Sequence, residues 1–381
     1  VIRSDLIVVG AGLAGAAAAW AASARGLDVT VLEAYQPGHR NGSSHGSARI
    51  FRRAYDDPLY VRLTGQAGEL WRSLEAAAGE RLLTMTGGLD FGTVRDPATL
   101  HAVLTGCGVP AELLAAEAAA ERWPQFDFTG TGPVMFHADA GVLDPDRAVA
   151  AMLRLAANRG ADVRFATPVT RLAVADGGGA VAVTDSGTFT APVVVVAVGA
   201  WIAPLLDGLV ELPPLTVTQQ QVFHFAPAPG PATGPAAETA TDPWPVFICQ
   251  DEAADCYGLP GGRDGEVPGA IKVGEHDPGK VTTARDRDFS VDPASRDRVL
   301  DYVRARVPGL DPAPVNEVTC LYTWTANEDF ILDRRGPFVI GSPCSGHGAK
   351  FAPLTGEILA DLAAGRPSPE HRFTLAAHLT G

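Results

Sequence analysis

Asp5-Leu6-Ile7-Val8-Val9-Gly10-Ala11-Gly12-Leu13-Ala14-Gly15 decides the fold. Its apolar first half has the pattern of a strand buried on both faces. The strand runs directly into a G-x-G-x-x-G. An Ala-rich stretch to Ala24 follows and breaks at Gly26, as a helix does where glycine stands just past its end. Asp28-Val29-Thr30-Val31-Leu32 is a second strand, and it ends at Glu33. Gly10 permits the tight strand-to-helix turn, Gly12 leaves room for a pyrophosphate, and Gly15 lets helix and strands approach. The helix N-terminus favours phosphate. Glu33 stands ~18 residues past Gly15, where an acid accepts hydrogen bonds from a ribose diol. Strand, motif, helix, strand and acid in this order predict a dinucleotide site, without deciding between NAD and FAD.

The 381 residues allow one to three domains, and 46% hydrophobic residues make a large core. A formal net charge of -14 argues against a nucleic-acid partner, which needs a basic face. The five cysteines, Cys107, Cys249, Cys256, Cys320 and Cys344, are too scattered for a disulfide framework or a metal site, and their odd number points to reduced thiols and a cytoplasmic setting. No stretch approaches the length of a membrane span. Val1 to Ser4 lead straight into the first strand, so no signal peptide is expected.

Along the chain, a polar loop spans 37–47. Helices are expected over 58–77, 97–106, 110–120, 145–159 and 293–306, with a final one over 354–364. Strands are expected after Gly87-Gly88, at 162–165 and 169–174, and as a hairpin around Asp185-Ser186-Gly187. Val193 to Val198 reads as a buried strand that returns the chain to the parallel sheet. Residues 226–243 read as a surface loop. The order implies two interleaved domains: a dinucleotide-binding domain over 1–88, 141–214 and 311–381, and a second over 89–140 and 215–310 that covers the cofactor.

Four further stretches carry a resemblance: Ser43-Ser44-His45-Gly46-Ser47-Ala48-Arg49-Ile50-Phe51-Arg52, Ile271-Lys272-Val273-Gly274-Glu275-His276, Thr319-Cys320-Leu321-Tyr322-Thr323, and Ser345-Gly346-His347-Gly348-Ala349-Lys350-Phe351. With the N-terminal motif they resemble the monomeric sarcosine oxidase and N-methyltryptophan oxidase family, flavin amine oxidases of the D-amino-acid-oxidase superfamily. The resemblance runs nearly end to end and is weakest over 205–250. It implies an α/β fold in which a Rossmann-like FAD-binding domain is interleaved with a mixed-sheet substrate domain. It also implies oxidation of a secondary α-amino acid, N-methyl or cyclic, to an imine, with oxygen reduced to hydrogen peroxide.

The resemblance implies covalent FAD, attached through a thioether at Cys320, with Arg49 and His45 as the nearby groups that favour thiolate. Ser43 belongs to the same cofactor loop. Lys272 matches the lysine that promotes reaction of reduced flavin with oxygen; a fixed cation stabilises developing superoxide. Arg52 and Lys350 match the pair that holds the substrate carboxylate. Tyr257 and Tyr322 match aromatic residues of the substrate cavity, and His276 and His347 match histidines near flavin and substrate. Gly346, Gly348 and Lys350 fit the loop over the flavin pyrimidine, and Val169 the residue whose backbone meets adenine. Arg53 reads as solvated.

The chain departs from the family pattern at Ala48, where a threonine usually supports the lysine. It departs also at Ser44, Ser47, Ala349 and Trp324, and at Ile248, a cavity-wall position. These changes surround the substrate and point away from sarcosine itself. Other substrates in view are a pipecolate or piperideine carboxylate or a fructosyl amino acid. A dehydrogenase using a different electron acceptor is a further alternative. A small-molecule substrate, oxygen and a monomer complete the expectation; no metal is expected.

Overall fold

The structure, a computed structural model, describes residues 1–228, 244–252, 254–276 and 279–379. The strand Leu6–Val9 alternates between two cores. Leu6 and Val8 pack under three helices, Leu13–Ala24, Pro145–Asn158 and Ala352–Ala363. Ile7 and Val9 face Leu172, Ala182 and Phe189 of a four-stranded sheet on the other side. Burial on both faces is what the unbroken apolar run predicts.

Six strands form the central sheet, in the order Asp162–Arg164, Val29–Leu32, Leu6–Val9, Val193–Val196, Phe338–Ser342 and Ile331–Arg335. All pairings are parallel except the last. Val193–Val196 is the buried strand expected to return the chain to the parallel sheet, and it lies inside that sheet, pairing Val195 with Val8 on one side and with Val339 on the other. The alanines of the first helix let Ala352–Ala363 approach until a side chain at Gly356 would meet the Ala17 backbone at 2.5 Å.

A second, nine-stranded mixed sheet holds Gly88–Phe91, Val134–His137, Val246–Gln250, Asp255–Pro260 and Ile271–Glu275, and at one side the long pair Thr216–Pro227 and Leu310–Trp324. The crossing back to the central sheet therefore falls after Trp324 rather than at 311, because Leu310–Trp324 pairs along its length with Thr216–Pro227. A three-stranded sheet, Arg49–Arg52, Ala140–Leu143 and Leu83–Met85, bridges the two.

Two expectations need correction. The helix expected over 110–120 is a strand, Glu112–Leu114, followed by a short helix, Ala116–Arg122. Pairing with Val134–His137 overrides the helical propensity of Glu and Leu. Ala352–Ala363 is also not the last helix, since Leu375–Leu379 follows it. Of the loop expected over 226–243, residues 226 and 227 end the strand Thr216–Pro227, and 229–243 lie outside the described residues.

Candidate active site

The carboxyl ends of the central strands open into a cavity of about 1230 Å³ that reaches the face of the nine-stranded sheet. Sites of doubly wound sheets lie at this edge. Every residue given a cofactor, substrate or catalytic role from the sequence lines the cavity except Gly15; of the departures from the family pattern, Ser44, Ala48, Ile248 and Ala349 line it, whereas Ser47 and Trp324 do not.

At the nucleotide end Gly10 has φ +92°, and a side chain there would stand 2.6 Å from the Ala197 carbonyl oxygen. A side chain at Gly15 would overlap the Gly10 carbonyl oxygen. Gly12 faces Ser44, whose hydroxyl accepts from the Leu13 N–H at 3.0 Å, so one of the departures from the family pattern caps the first helix. Glu33 accepts from the N–H groups of Ala11 at 2.7 Å and Tyr35 at 2.9 Å, and faces the His39 ring. Burial works to raise its pKa, but the hydrogen bonds of His39, Ala11 and Tyr35 prevail and hold it below the ordinary value. The stability this adds is present above the ordinary carboxylate pKa and is lost as pH falls below it. Glu33→Gln turns an amide NH₂ toward one of these donors. It is expected to cost about 1–3 kcal/mol, read from urea midpoints at neutral pH, with the difference shrinking in acid. Val169 opens the strand Val169–Val174 and lines the cavity at this end.

At the far end Lys272, 5% exposed, donates to the Ala48 carbonyl at 3.1 Å. A backbone oxygen thus supports this lysine where position 48 has no hydroxyl. Burial, then Arg49, pushes its pKa down to about 7, against the pull of Cys320 and Asp264. Arg49 is held by the carbonyls of Ser43, His45 and Ala48. Burial, then Arg49 and Lys272, lowers His45 to about 2, so its ring is neutral, and its Nε2 has no partner among the described residues.

Lys350, also 5% exposed, donates to the Tyr55 hydroxyl at 3.0 Å and the His347 carbonyl at 2.8 Å. Burial and Arg52 push its pKa well down. Arg52 donates to the Ala54 carbonyl and lies over the Tyr55 ring at 4.7 Å. Neither cation has an acidic partner among the described residues. His347, lowered to about 3 by burial and Lys350, bonds Tyr55 at 3.1 Å and the Glu328 carbonyl at 3.1 Å. Burial also lowers His276, against Asp255 and Glu328. Tyr257 and Tyr322 contact each other, and burial raises both hydroxyl pKa values. Ile248 pairs with Tyr257 across the sheet.

Cys320 is a free thiol, 8% exposed, on Leu310–Trp324. Ser43 donates to the carbonyl of the next residue, Leu321, at 2.5 Å, which ties the cofactor loop to the cysteine strand. Gly346 and Gly348 form the turn between Phe338–Ser342 and Ala352–Ala363; a side chain at Gly346 would meet Tyr322 at 2.7 Å. Arg53 is not solvated: it is half-buried, donates to the Val61 carbonyl at 3.2 Å and pairs with Asp139.

Several functional neighbours gave no sequence signal. Tyr55 joins Lys350 to His347. Asp264 accepts from the Ser47 N–H at 2.6 Å, and Asp146 from the Gly46 N–H at 2.9 Å; together they hold the loop that carries His45. Arg287, 7% exposed, donates to the carbonyls of Arg40 and Asn41 at 2.8 and 3.0 Å and to the Thr319 hydroxyl at 2.9 Å. These contacts join segments distant in sequence, and only the turn glycines around Asp264 mark any of them.

The geometry fits a flavin dinucleotide: a glycine cradle that side chains would fill, a carboxylate at the end of the second strand, and a buried imidazole nitrogen unpaired at the far end. The profile of FAD-dependent oxidoreductases matches residues 5–362, and the chain belongs to that family. Within it the chain groups with the monomeric sarcosine oxidases and N-methyltryptophan oxidases. It is 35% identical over 368 residues to monomeric sarcosine oxidase of Streptomyces avermitilis, covering 94% of this chain and 93% of that one. It is 32% identical over 376 residues to N-methyl-L-tryptophan oxidase of Yersinia pestis, covering 96% of each. Among solved structures, the open form of a variant of NikD, an unusual amino acid oxidase essential for nikkomycin biosynthesis, superposes with a TM-score of 0.84 at 27% identity, covering 98% of this chain and 96% of that one. L-proline dehydrogenase from P. horikoshii shares the fold with a TM-score of 0.84 at 22% identity, covering 100% of this chain and 99% of that one.

Proposed function

We propose that this FAD-dependent oxidoreductase oxidises the C–N bond of a secondary α-amino acid to an imine and reduces oxygen to hydrogen peroxide, with FAD attached through Cys320. The observation that carries this reading is the pair Arg52 and Lys350. These are two cations without acidic partners among the described residues, on the same cavity as Lys272. Bound FAD supplies the two-electron acceptor that takes the hydride equivalent and returns the electrons to oxygen.

The chain's own residues do the rest. Arg52 and Lys350 bind the substrate carboxylate, and an incoming carboxylate restores the charge of Lys350 that burial disfavours. The same two cations and the aromatic wall of Tyr257 and Tyr322 disfavour an ammonium, so the amine is held neutral with its lone pair free. The neutral rings of His276 and His347 orient groups by hydrogen bonding and carry no charge. Lys272, fixed on Ala48, holds positive charge where oxygen gains electrons. Lys272 and Arg287 both interact with Cys320, which places positive charge beside the sulfur that would form the thioether.

The test is anaerobic mixing of the yellow holoenzyme with sarcosine and larger N-methyl and cyclic amino acids, followed by air and a peroxide assay. Bleaching by amine, one peroxide per turnover, and flavin retained in the acid-precipitated pellet are expected. Bleaching without peroxide would make the protein a dehydrogenase, and flavin released by acid would remove the Cys320 bond.

A further inference from the structure

The register of the nine-stranded sheet lays the substrate side of the cavity out in tiers. Lys272 pairs with Leu259, Gly274 with Tyr257, and Tyr257 with Ile248. One step further, the His276 N–H donates to the Asp255 carbonyl at 2.7 Å, and Asp255 pairs with Gln250. Side chains on one face recur every second residue, so the tier of Asp255 and Gln250 lies about 13 Å along the strands from that of Lys272.

That distal tier is polar and wired. Asp255 accepts from the Gln250 amide at 2.7 Å, Gln250 accepts from Arg95 at 3.1 Å, and Arg95 is paired with the buried Asp90 at 2.6 Å. Arg95, Gln250 and Asp255 all line the cavity. The charge of Arg95 is matched by Asp90. That of Asp255 is matched by no cation among the described residues, and its one side-chain partner among them is a neutral amide. His276, which adjoins it, is kept neutral by burial. Asp255 and Glu328, and Arg52 and Lys350, all act on the charge of His276, so both poles lie within electrostatic reach of one ring on the cavity wall.

We propose that Asp255, positioned by Gln250 and Arg95, is a second recognition point that takes a hydrogen-bond donor, a cation above all, at the far end of the substrate. This rests on the amino-acid oxidase reading and narrows its substrate class. The carboxylate binds at Arg52 and Lys350, the C–N bond lies in the middle tier, and a side chain or nitrogen substituent ending in an amine, guanidine or amide reaches Asp255. N-methylglycine has nothing to place there and leaves the Asp255 carboxylate with the neutral Gln250 amide as its one side-chain partner among the described residues, so it forgoes the charge-assisted hydrogen bond that a longer substrate gains.

The test compares Nα-methyllysine with Nα-methylnorleucine, which differ in the terminal group. In the native holoenzyme kcat/KM is expected to favour the lysine compound by about tenfold or more, and Asp255→Asn to bring the ratio near one. Binding of 5-aminopentanoate against pentanoate, followed by perturbation of the flavin spectrum, reads the same preference without a variant and without turnover; the amine is expected to bind about tenfold tighter. A ratio at or below one in the native protein, or one that survives Asp255→Asn, overturns the subsite. If no N-methyl amino acid reduces the flavin, the oxidase reading falls, and the binding comparison still decides the subsite.

Discussion

Lys272→Met is expected to slow reoxidation of the reduced enzyme by oxygen at least about 100-fold, while its anaerobic reduction by amine changes less than about threefold. Only the first step builds negative charge on oxygen, so only that step needs the ammonium. The sign of the pH dependence follows from burial. Lys272 titrates near 7, so its charge prevails below that pH and is lost above it. Native reoxidation should therefore slow as pH rises from about 6 to about 9, and the Met variant should be flat over that window. The groups facing Lys272 are Arg49, Cys320 and Asp264. His224, beside it on the adjoining strand, is itself lowered to about 4 by burial and Lys272, and stays neutral across the window. Met fills the same volume without a buried charge, so melting temperature should hold or rise. Stopped-flow traces in which both half-reactions fall together would make Lys272 a structural residue.

Gly15→Ala is expected to abolish flavin loading. One methyl group at this position overlaps the Gly10 carbonyl, and that carbonyl lies in the turn where strand becomes helix. Relief means pushing Leu13–Ala24 off the sheet, which breaks its contacts with both Pro145–Asn158 and Ala352–Ala363. Overpacking of this kind costs several kcal/mol where the neighbour is backbone, roughly at or beyond the upper end of 1–3 kcal/mol. Gly106→Ala is the control. It ends the helix Pro97–Gly106, a side chain there meets nothing within 4 Å, and it is expected to be neutral or slightly stabilising. Absorbance at the flavin band against protein, with urea midpoints for both variants, decides the matter. A fully yellow Gly15→Ala protein would mean that the turn can shift.

The local parts of this fold were the legible ones. Leu6–Val9, its glycines and Glu33 could be read because strand period, turn chemistry and helix propensity agree within thirty residues or so. Val193–Val196 could be read because a short run of valines has little else to become. Glu112–Leu114 was hidden because its residues favour helix, and only pairing with Val134–His137 decides otherwise. The start of Leu310–Trp324 was hidden by Pro312 and Pro314; proline is tolerated there because the strand pairs on one side, with Thr216–Pro227. At the site, motifs marked Lys272, Cys320 and Lys350. Tyr55, Asp255 and Arg287 are ordinary residue types in ordinary stretches. Their meeting depends on how three sheets come together, and no local pattern encodes that.

The central sheet assembles from distant pieces: Val193–Val196 lies between Leu6–Val9 and Phe338–Ser342. A chain emerging from the ribosome at about 5–20 residues per second exposes the valine strand for ~7–30 s before its last parallel neighbour exists. Through that interval an apolar edge stands open, which invites pairing with other nascent chains. Yield in cells should accordingly respond to slower translation, lower temperature and chaperone supply more than to flavin supply, because the pocket that FAD would stabilise does not exist until the sheet has closed.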